Sequence, residues 1–377
     1  MSTPNPSTHS LRVVAIGGGT GLSTLLRGLR RYVAVPGQST TDTTIDPPKA
    51  GCDPCLITDL AALVTVTDDG GSSGRLRKGF NMLPPGDLRN CMVALSEEED
   101  LIARLFRHRF RSGGDIEGHN FGNLFVAALT EITGDFGQAI QLASKILATR
   151  GRIYPVTTAN ATLVALMDNN SLVRGETNIS ASKHRIVELM LDPSDAPALP
   201  EALEAIERAD LITVGPGSLY TSLITNLLVK GIPEALIHAR GLRVYIGNLM
   251  TQANESLGLS ASQHIERIYE HAGGPVFDYA ILNSAPVSPQ TLERYAAEGQ
   301  TPIVPDVDRI ESMGIKCLVG NYLNEAIGPE TVTHSLPDAS THSGEHETGG
   351  EGEVLRHASN RVTAALMDLG QMAVARR

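Results

Sequence analysis

Tryptophan is absent from this 377-residue chain, and aromatic residues make up only 4% of it. Without aromatic platforms to stack bases on, a single-stranded nucleic-acid surface is a poor reading. Positive charge is also short. The formal net charge is -11, which argues against a general binder of nucleic acid or anionic membrane. Four cysteines in a chain this long make no disulfide framework. Cys52 and Cys55 form a single CxxC without a second ligand pair, so they read as loop thiols, not a zinc site. Cys91 and Cys317 sit in apolar contexts and read as core thiols. No apolar run is long enough to span a bilayer. The opening MSTPNPSTHS lacks the apolar core of a signal peptide, so residues 1–11 read as a frayed tail, and the expected location is cytoplasmic.

What is present is 41% hydrophobic residues arranged as alternating strands and helices. "RVVAIGGGTGLSTLLRGLRRY" opens with a strand, Arg12 to Ile16, apolar on both faces. A glycine turn follows, and then Leu22, Leu25, Leu26 and Leu29 recur at helical spacing. Strand, turn and helix in this order begin a parallel α/β sheet. Residues 33–58 are rich in Pro, Thr, Gly and Asp and read as an insertion before a second strand, Ala62 to Thr67. Helical patterns follow over Leu101–Phe110, Phe121–Thr133 and Phe136–Thr149, and Ile153–Thr157 reads as a strand. "TLVALMDNNSLVRGE" predicts a hairpin turning at Asp168-Asn169-Asn170, and "HRIVELML" another strand. Strand and helix then alternate again through "DLITVGPGSLYTSLITNLLV", "RVYIGNLM" and "YAILNS", and a last helix is expected at about Arg356–Ala373. The basic-free, acidic stretch 328–354, with His334, His342 and His346, reads as a solvated insertion. The expected architecture is therefore α/β: a Rossmann-like, doubly wound, mostly parallel sheet with helices on both faces and a small β-hairpin excursion. Residues 12–377 form one domain in this reading.

Three strand ends carry unusual loops. The first is Gly17-Gly18-Gly19-Thr20-Gly21, where backbone N–H groups beside a helix N-terminus favour a phosphate. It is neither a Walker A loop, lacking Gly-Lys-Ser/Thr, nor a standard GxGxxG, since Leu22 replaces the last glycine. The second is "VTVTDDGGSSGRLR". Asp68 and Asp69 stand where an acid accepts hydrogen bonds from a ribose, or where two acids hold Mg²⁺. Gly70 to Gly74, including Ser72 and Ser73, supply flexible donors, and Arg75 and Arg77 offer forked donors to phosphate oxygens. The third is Gly215-Pro216-Gly217-Ser218, with Tyr220 at a helix start suited to a second anion. "PPGDLRN" adds Asp87, Arg89 and Asn90, with a helix cap as the bland reading of Asp87. "EGHNFGN" adds His119, Asn120 and Asn123. His119 is a candidate general acid or base alongside Asp68 and Asp69, with a capping or core histidine as the alternative. Asn248 and Asn283 end later strands on the same side. No Ser-His-Asp set, HExxH or kinase signature is evident, so a nucleotide pocket is more legible than catalysis.

In this order, "AIGGGTGLSTLLRGL", "TVTDDGGSSGRLR", "LPPGDLRN", "GHNFGNL" and "VGPGSLYTSLITNLLV" resemble the bacterial gluconeogenesis-factor (YvcK-type, UPF0052-like) family, related to the 2-phospho-lactate transferases (CofD). The resemblance runs from about Arg12 to the last helix. It implies a Rossmann-like core and, for the gluconeogenesis-factor branch, a cytoplasmic protein that binds UDP-sugars such as UDP-N-acetylglucosamine. That branch supports cell shape and wall synthesis on gluconeogenic carbon sources. For the transferase branch it implies Mg²⁺-dependent phospholactyl transfer from a guanylyl-linked donor to a deazaflavin alcohol. The positions carried over are Gly18, Gly19, Thr20, Asp68, Asp69, Asn90, Asn120, Asn123, Gly215 and Ser218. Tyr295 in "LERYAAEG" is expected to pack on the nucleobase, and Arg356 in "VLRHAS" to meet the diphosphate. A homodimer is a candidate assembly. Gly215-Pro216-Gly217-Ser218, where the transferases usually carry Gly-Pro-Ser-Asn-Pro, favours the gluconeogenesis-factor branch. Ala253-Asn254-Glu255-Ser256 departs from that branch's usual Pro/Ala-Gly-Glu-Thr, so a glycine is missing there. An NAD-linked dehydrogenase is the third class, disfavoured by the absent fingerprint glycine.

Overall fold

The computed structural model describes residues 10–34, 57–96, 101–324 and 354–375. Strands β1 (Leu11–Gly17), β2 (Ile57–Val64) and β3 (Arg152–Pro155) lie on one side of a seven-stranded sheet. A separate antiparallel sheet is made of β4 (Thr162–Met167), β5 (Leu172–Arg174) and β6 (Ile186–Asp192). The main sheet resumes with β7 (Leu211–Val214), β8 (Leu242–Ile246), β9 (Tyr279–Asn283) and β10 (Lys316–Gly320). Its order is β10-β9-β8-β7-β1-β2-β3, and every neighbouring pair is parallel.

Apolar residues on both faces of each strand make this sheet possible. In β1, Leu11, Val13 and Ala15 enter one core, with α1 (Gly19–Arg30) and the last helix, Ser359–Val374. Val14 and Ile16 enter the opposite core, which also takes Leu163, Ala165 and Met167 from β4. Leu22, Leu25, Leu26 and Leu29 of α1 are all buried, as their spacing requires. The expected helices appear as α4 (Leu101–Arg107), α5 (Phe121–Thr133) and α6 (Phe136–Ile146).

Several boundaries differ from the sequence expectation. β2 begins at Ile57 and ends at Val64, because Ile57 pairs with Leu11 and the chain then turns across the sheet top. Residues 65–69 are therefore a connection, not a strand end. The segment expected to be flexible, Gly70 to Gly74, is instead the start of α2 (Gly71–Phe80), closed by the Gly74 N–H on the Gly70 carbonyl at 2.8 Å. Another helix, α3 (Gly86–Leu95), starts before Asp87, and Asp87 does not cap it. The excursion has three strands, since β6 pairs with β4. The short helix α7 (Glu176–Ala181) and the edge strand β10 carry too weak a pattern to be anticipated. Most of the 33–58 and 328–354 insertions, the tail through residue 9, Cys52, Cys55, His334, His342 and His346 lie outside the described residues. Leu11, placed in that tail, is the first residue of β1.

Gly28 fixes how closely the last helix meets α1. A methyl there would overlap Thr363 Oγ1 and lie 2.5 Å from Ser359 Oγ. Gly28→Ala is expected to cost about 1–3 kcal/mol by overpacking, read as a lower denaturation midpoint with an unchanged denaturant slope.

Candidate functional site

β1 and β7 are adjacent, yet the chain continues from them toward opposite sheet edges. Such a switch point leaves a crevice at the carboxyl ends of the strands. Two glycine turns flank it. A methyl on Gly21 would overlap the Pro216 carbonyl and lie 3.2 Å from the Gly217 nitrogen. Backbone therefore meets backbone, which only glycine permits. Gly19 and Gly215 also adopt positive φ (63° and 94°). Buried Asn226 ties the turns together, donating from Nδ2 to the Gly17 carbonyl (3.2 Å) and the Ser222 carbonyl (2.6 Å). The structure thus brings Gly17, Gly18, Gly19, Thr20 and Gly21 beside Gly215, Gly217 and Ser218.

Carboxylates line this crevice. Asp87 Oδ2 accepts the Gly19 N–H at 2.7 Å, so an internal anion already sits on the first amide of α1. Burial raises the Asp87 pKa to about 6, with Asp68 adding to the rise and the Gly19 N–H opposing it. Asp68 accepts the Gly70 N–H at 2.9 Å and lies 3.3 Å from where a methyl on Gly86 would be. Asp69 turns the other way: its Oδ1 takes the Thr177 N–H (2.9 Å) and hydroxyl (2.6 Å), anchoring α7. Glu176 is the unexpected member. Burial, then Asp68 and Asp87, push its pKa up to about 9, while the Thr67 hydroxyl donates to it at 3.3 Å. Its signal was invisible in sequence because α7 reaches the crevice only through the β4–β6 excursion. Among the described residues no set of three or more His, Cys, Asp or Glu side chains is arranged for a metal. Asp68 and Asp69, expected side by side at one wall, point to different partners, the Gly70 N–H and Thr177.

The residues of "GHNFGN" gather around Ser72. The Asn120 N–H and Asn123 Nδ2 both donate to Ser72 Oγ (3.3 Å each), leaving the hydroxyl proton for His119 Nδ1 at 3.2 Å. The ring proton of neutral His119 is then on Nε2. Burial, helped by Arg75 and Arg109, lowers the His119 pKa. Asn120 also caps α5 through the Asn123 N–H. Ser73 packs against Gly86. Asn90 Oδ1 accepts Arg89 Nη2 at 2.6 Å. Arg77 bonds Asn160 Oδ1 (2.8 Å) and the Ala161 carbonyl (2.5 Å).

The third side is the ribbon Leu355 to Ala358, which runs beside Tyr322–Asn324 through bonds of 2.8 and 3.0 Å. It carries Arg356 and His357 to a cavity of about 180 Å³ that Thr20, Gly21, Thr24 and Pro216 also line. Tyr295 joins it, accepting the Leu355 N–H at 2.9 Å. His357 donates from Nε2 to the Gly247 carbonyl at 3.0 Å, and burial lowers its pKa to about 4. At the second glycine turn, Glu255 takes the Tyr220 N–H (3.0 Å) and the Thr221 hydroxyl (2.9 Å). The helix start expected to receive a second anion is thus capped by an internal carboxylate. Asn254, in the place of the missing glycine, adopts φ 64° and supplies the same left-handed turn. Asn283 is committed to Ala285 and Tyr322, whereas Asn248 Oδ1 is buried without a partner.

Residues 13–323 match the family model described as 2-phospho-L-lactate transferase CofD. The chain is 38% identical to the gluconeogenesis factor of Halalkalibacterium halodurans, covering 94% of this chain and 95% of that one. It is 37% identical to the gluconeogenesis factor of Bacillus subtilis, covering 95% and 98%. A relative from Nostoc sp. is 42% identical over 83% of this chain, and the match spans 64% of that relative's length. A crystal structure of a UPF0052-family protein from Bacillus halodurans superposes with a TM-score of 0.79 at 37% identity, covering 95% of this chain and 99% of that one. No helix among the described residues is long and apolar enough to cross a membrane.

The raised pKa of Glu176 has a stability consequence. Its folded value of about 9 exceeds the ordinary 4.5, so the native state holds the proton longer and stability falls as pH rises between those values. Glu176→Gln is expected to raise the thermal midpoint at pH 8, with the gain shrinking toward zero as pH approaches 4.5. Equal midpoints at pH 8 for the two proteins would contradict this electrostatic account.

Proposed function

The chain belongs to the CofD family, within its gluconeogenesis-factor group, and from this premise we propose that the crevice binds a nucleotide-sugar of the UDP-N-acetylglucosamine type. The observation that carries the reading is the junction of the Gly17–Gly21 and Gly215–Ser218 turns beside a cavity reached by Arg356. A diphosphate fits the Thr20 and Gly21 amides in the first turn of α1, with Arg356 opposite. Asp68 accepts from ribose hydroxyls, and Tyr295, fixed by Leu355, flanks the base. In this reading the protein is a cytoplasmic regulator that couples nucleotide-sugar supply to cell shape and wall synthesis during gluconeogenic growth.

A second reading, Mg²⁺-dependent transfer from a guanylyl-linked donor, rests on Asp87 at the first amide of α1 and on Asp68, near enough to raise the Asp87 pKa. In that reaction the metal would neutralise developing phosphate charge.

Calorimetry with UDP-N-acetylglucosamine tests the first reading. Binding is expected, insensitive to chelator, and weakened about tenfold or more by Asp68→Ala and by Arg356→Gln, the scale of losing a charged hydrogen bond. No heat of binding to the parent protein would sink it. Consumption of a guanylyl-linked phospholactate donor only when Mg²⁺ is supplied would establish the transferase instead.

A further inference from the structure

Three arginines and an imidazole gather around residues 117–122. Arg75, from α2, donates through Nη1 to the Glu117 carbonyl at 3.0 Å, and its Nη2 lies 3.1 Å from the methyl position of Gly118. Arg109 donates to the Gly118 carbonyl at 2.8 Å. Arg89, from α3, runs beneath the first turn of α5, its Cδ 2.9 Å from the methyl position of Gly122. His119 stands among them, with its Nε2–H unspent on Ser72.

The acceptors these cations use are uncharged. Two are backbone carbonyls and one is the Asn90 amide oxygen. Among the described residues no carboxylate forms an ion pair with Arg75, Arg89 or Arg109. Arg89 Nε is buried with no partner at all. Burial, and then the nearby charge of Arg109, lower the Arg89 pKa to about 10, against the opposing pull of Asp87 and Asp68. Arg75 and Arg109 stay exposed, so the cost falls on Arg89, whose largely buried charge has no direct ion pair. An incoming anion removes that cost, and several forked donors arriving from different elements match the spread of oxygens on a tetrahedral group.

We propose that Arg75, Arg89, Arg109 and His119 form a second anion pocket, which takes the phosphate group of a small phosphorylated molecule separate from the nucleotide. Asp87 holds the Gly19 N–H of the glycine turn, and both Asp87 and Asp68 act on Arg89 of this pocket. Their negative charge favours two ligands, or two separated anionic groups, over one diphosphate spread across both places. The pocket goes beyond the nucleotide reading and does not require it.

The test uses the full chain, inorganic phosphate as the probe, and both calorimetry and thermal denaturation at low ionic strength. Phosphate is expected to bind and to raise the midpoint. Arg109→Gln and Arg75→Gln retain donors for the carbonyls, and each is expected to weaken phosphate binding about tenfold. Arg208→Gln, an exposed arginine paired with Glu204 far from the loop, controls for loss of one charge and is expected to leave binding unchanged. Phosphate binding equal in the parent and Arg109→Gln proteins would overturn the proposal. So would displacement of that phosphate by UDP in one-to-one competition, because the cluster would then belong to the nucleotide's own diphosphate. Failure of UDP-N-acetylglucosamine to bind would defeat the nucleotide-sugar reading while leaving the phosphate result intact.

Discussion

The approach of Gly21 to the Pro216 carbonyl is the constraint on which the rest of the site depends. It joins the turn after β1 to the turn after β7, the two strands where the sheet reverses its winding. A side chain at position 21 would hold these turns apart. The crevice floor, the Asn226 clamp and the position of the α1 amides would all shift with it. The close contact also sets the wall that Arg356 faces across the cavity.

Around this junction the chain keeps like charges close together. Asp68, Asp87 and Glu176 crowd one side, and the pKa values of Asp87 and Glu176 rise as burial and mutual repulsion favour their neutral forms. Arg75, Arg89 and Arg109 crowd another. Burying Asp87, Glu176 and Arg89 costs folding stability, whereas Arg75 and Arg109 stay exposed. Internal carboxylates also occupy two helix N-termini, Asp87 at Gly19 and Glu255 at Tyr220. The two uses differ in consequence. Glu255 closes its helix end and makes the second turn a structural support. Asp87 takes only the first amide of α1, that of Gly19.

Much of this was legible from the residues. The alternation of apolar strands and leucine-striped helices follows from periodicity, and the glycine turns announce themselves because few other needs place four glycines in five residues. Asn120, Asn123 and His119 were correctly grouped by nearness in the chain. Other roles were misread for one reason: a short polar residue satisfies many local motifs equally well. Asp87 looked like a helix cap and instead reaches across to Gly19. Asp69 bonds Thr177, on an element far from it in the chain.

By itself the sequence determined the doubly wound sheet, the order of its elements and the glycine turns at its strand ends, because burial of apolar faces and glycine's backbone freedom are local properties. Only the tertiary structure decided which charged groups face one another across the crevice. Glu176, Arg109 and Arg356 come from an excursion, a loop and a C-terminal ribbon. Their electrostatic influence depends on distance through the folded interior, which linear spacing does not encode.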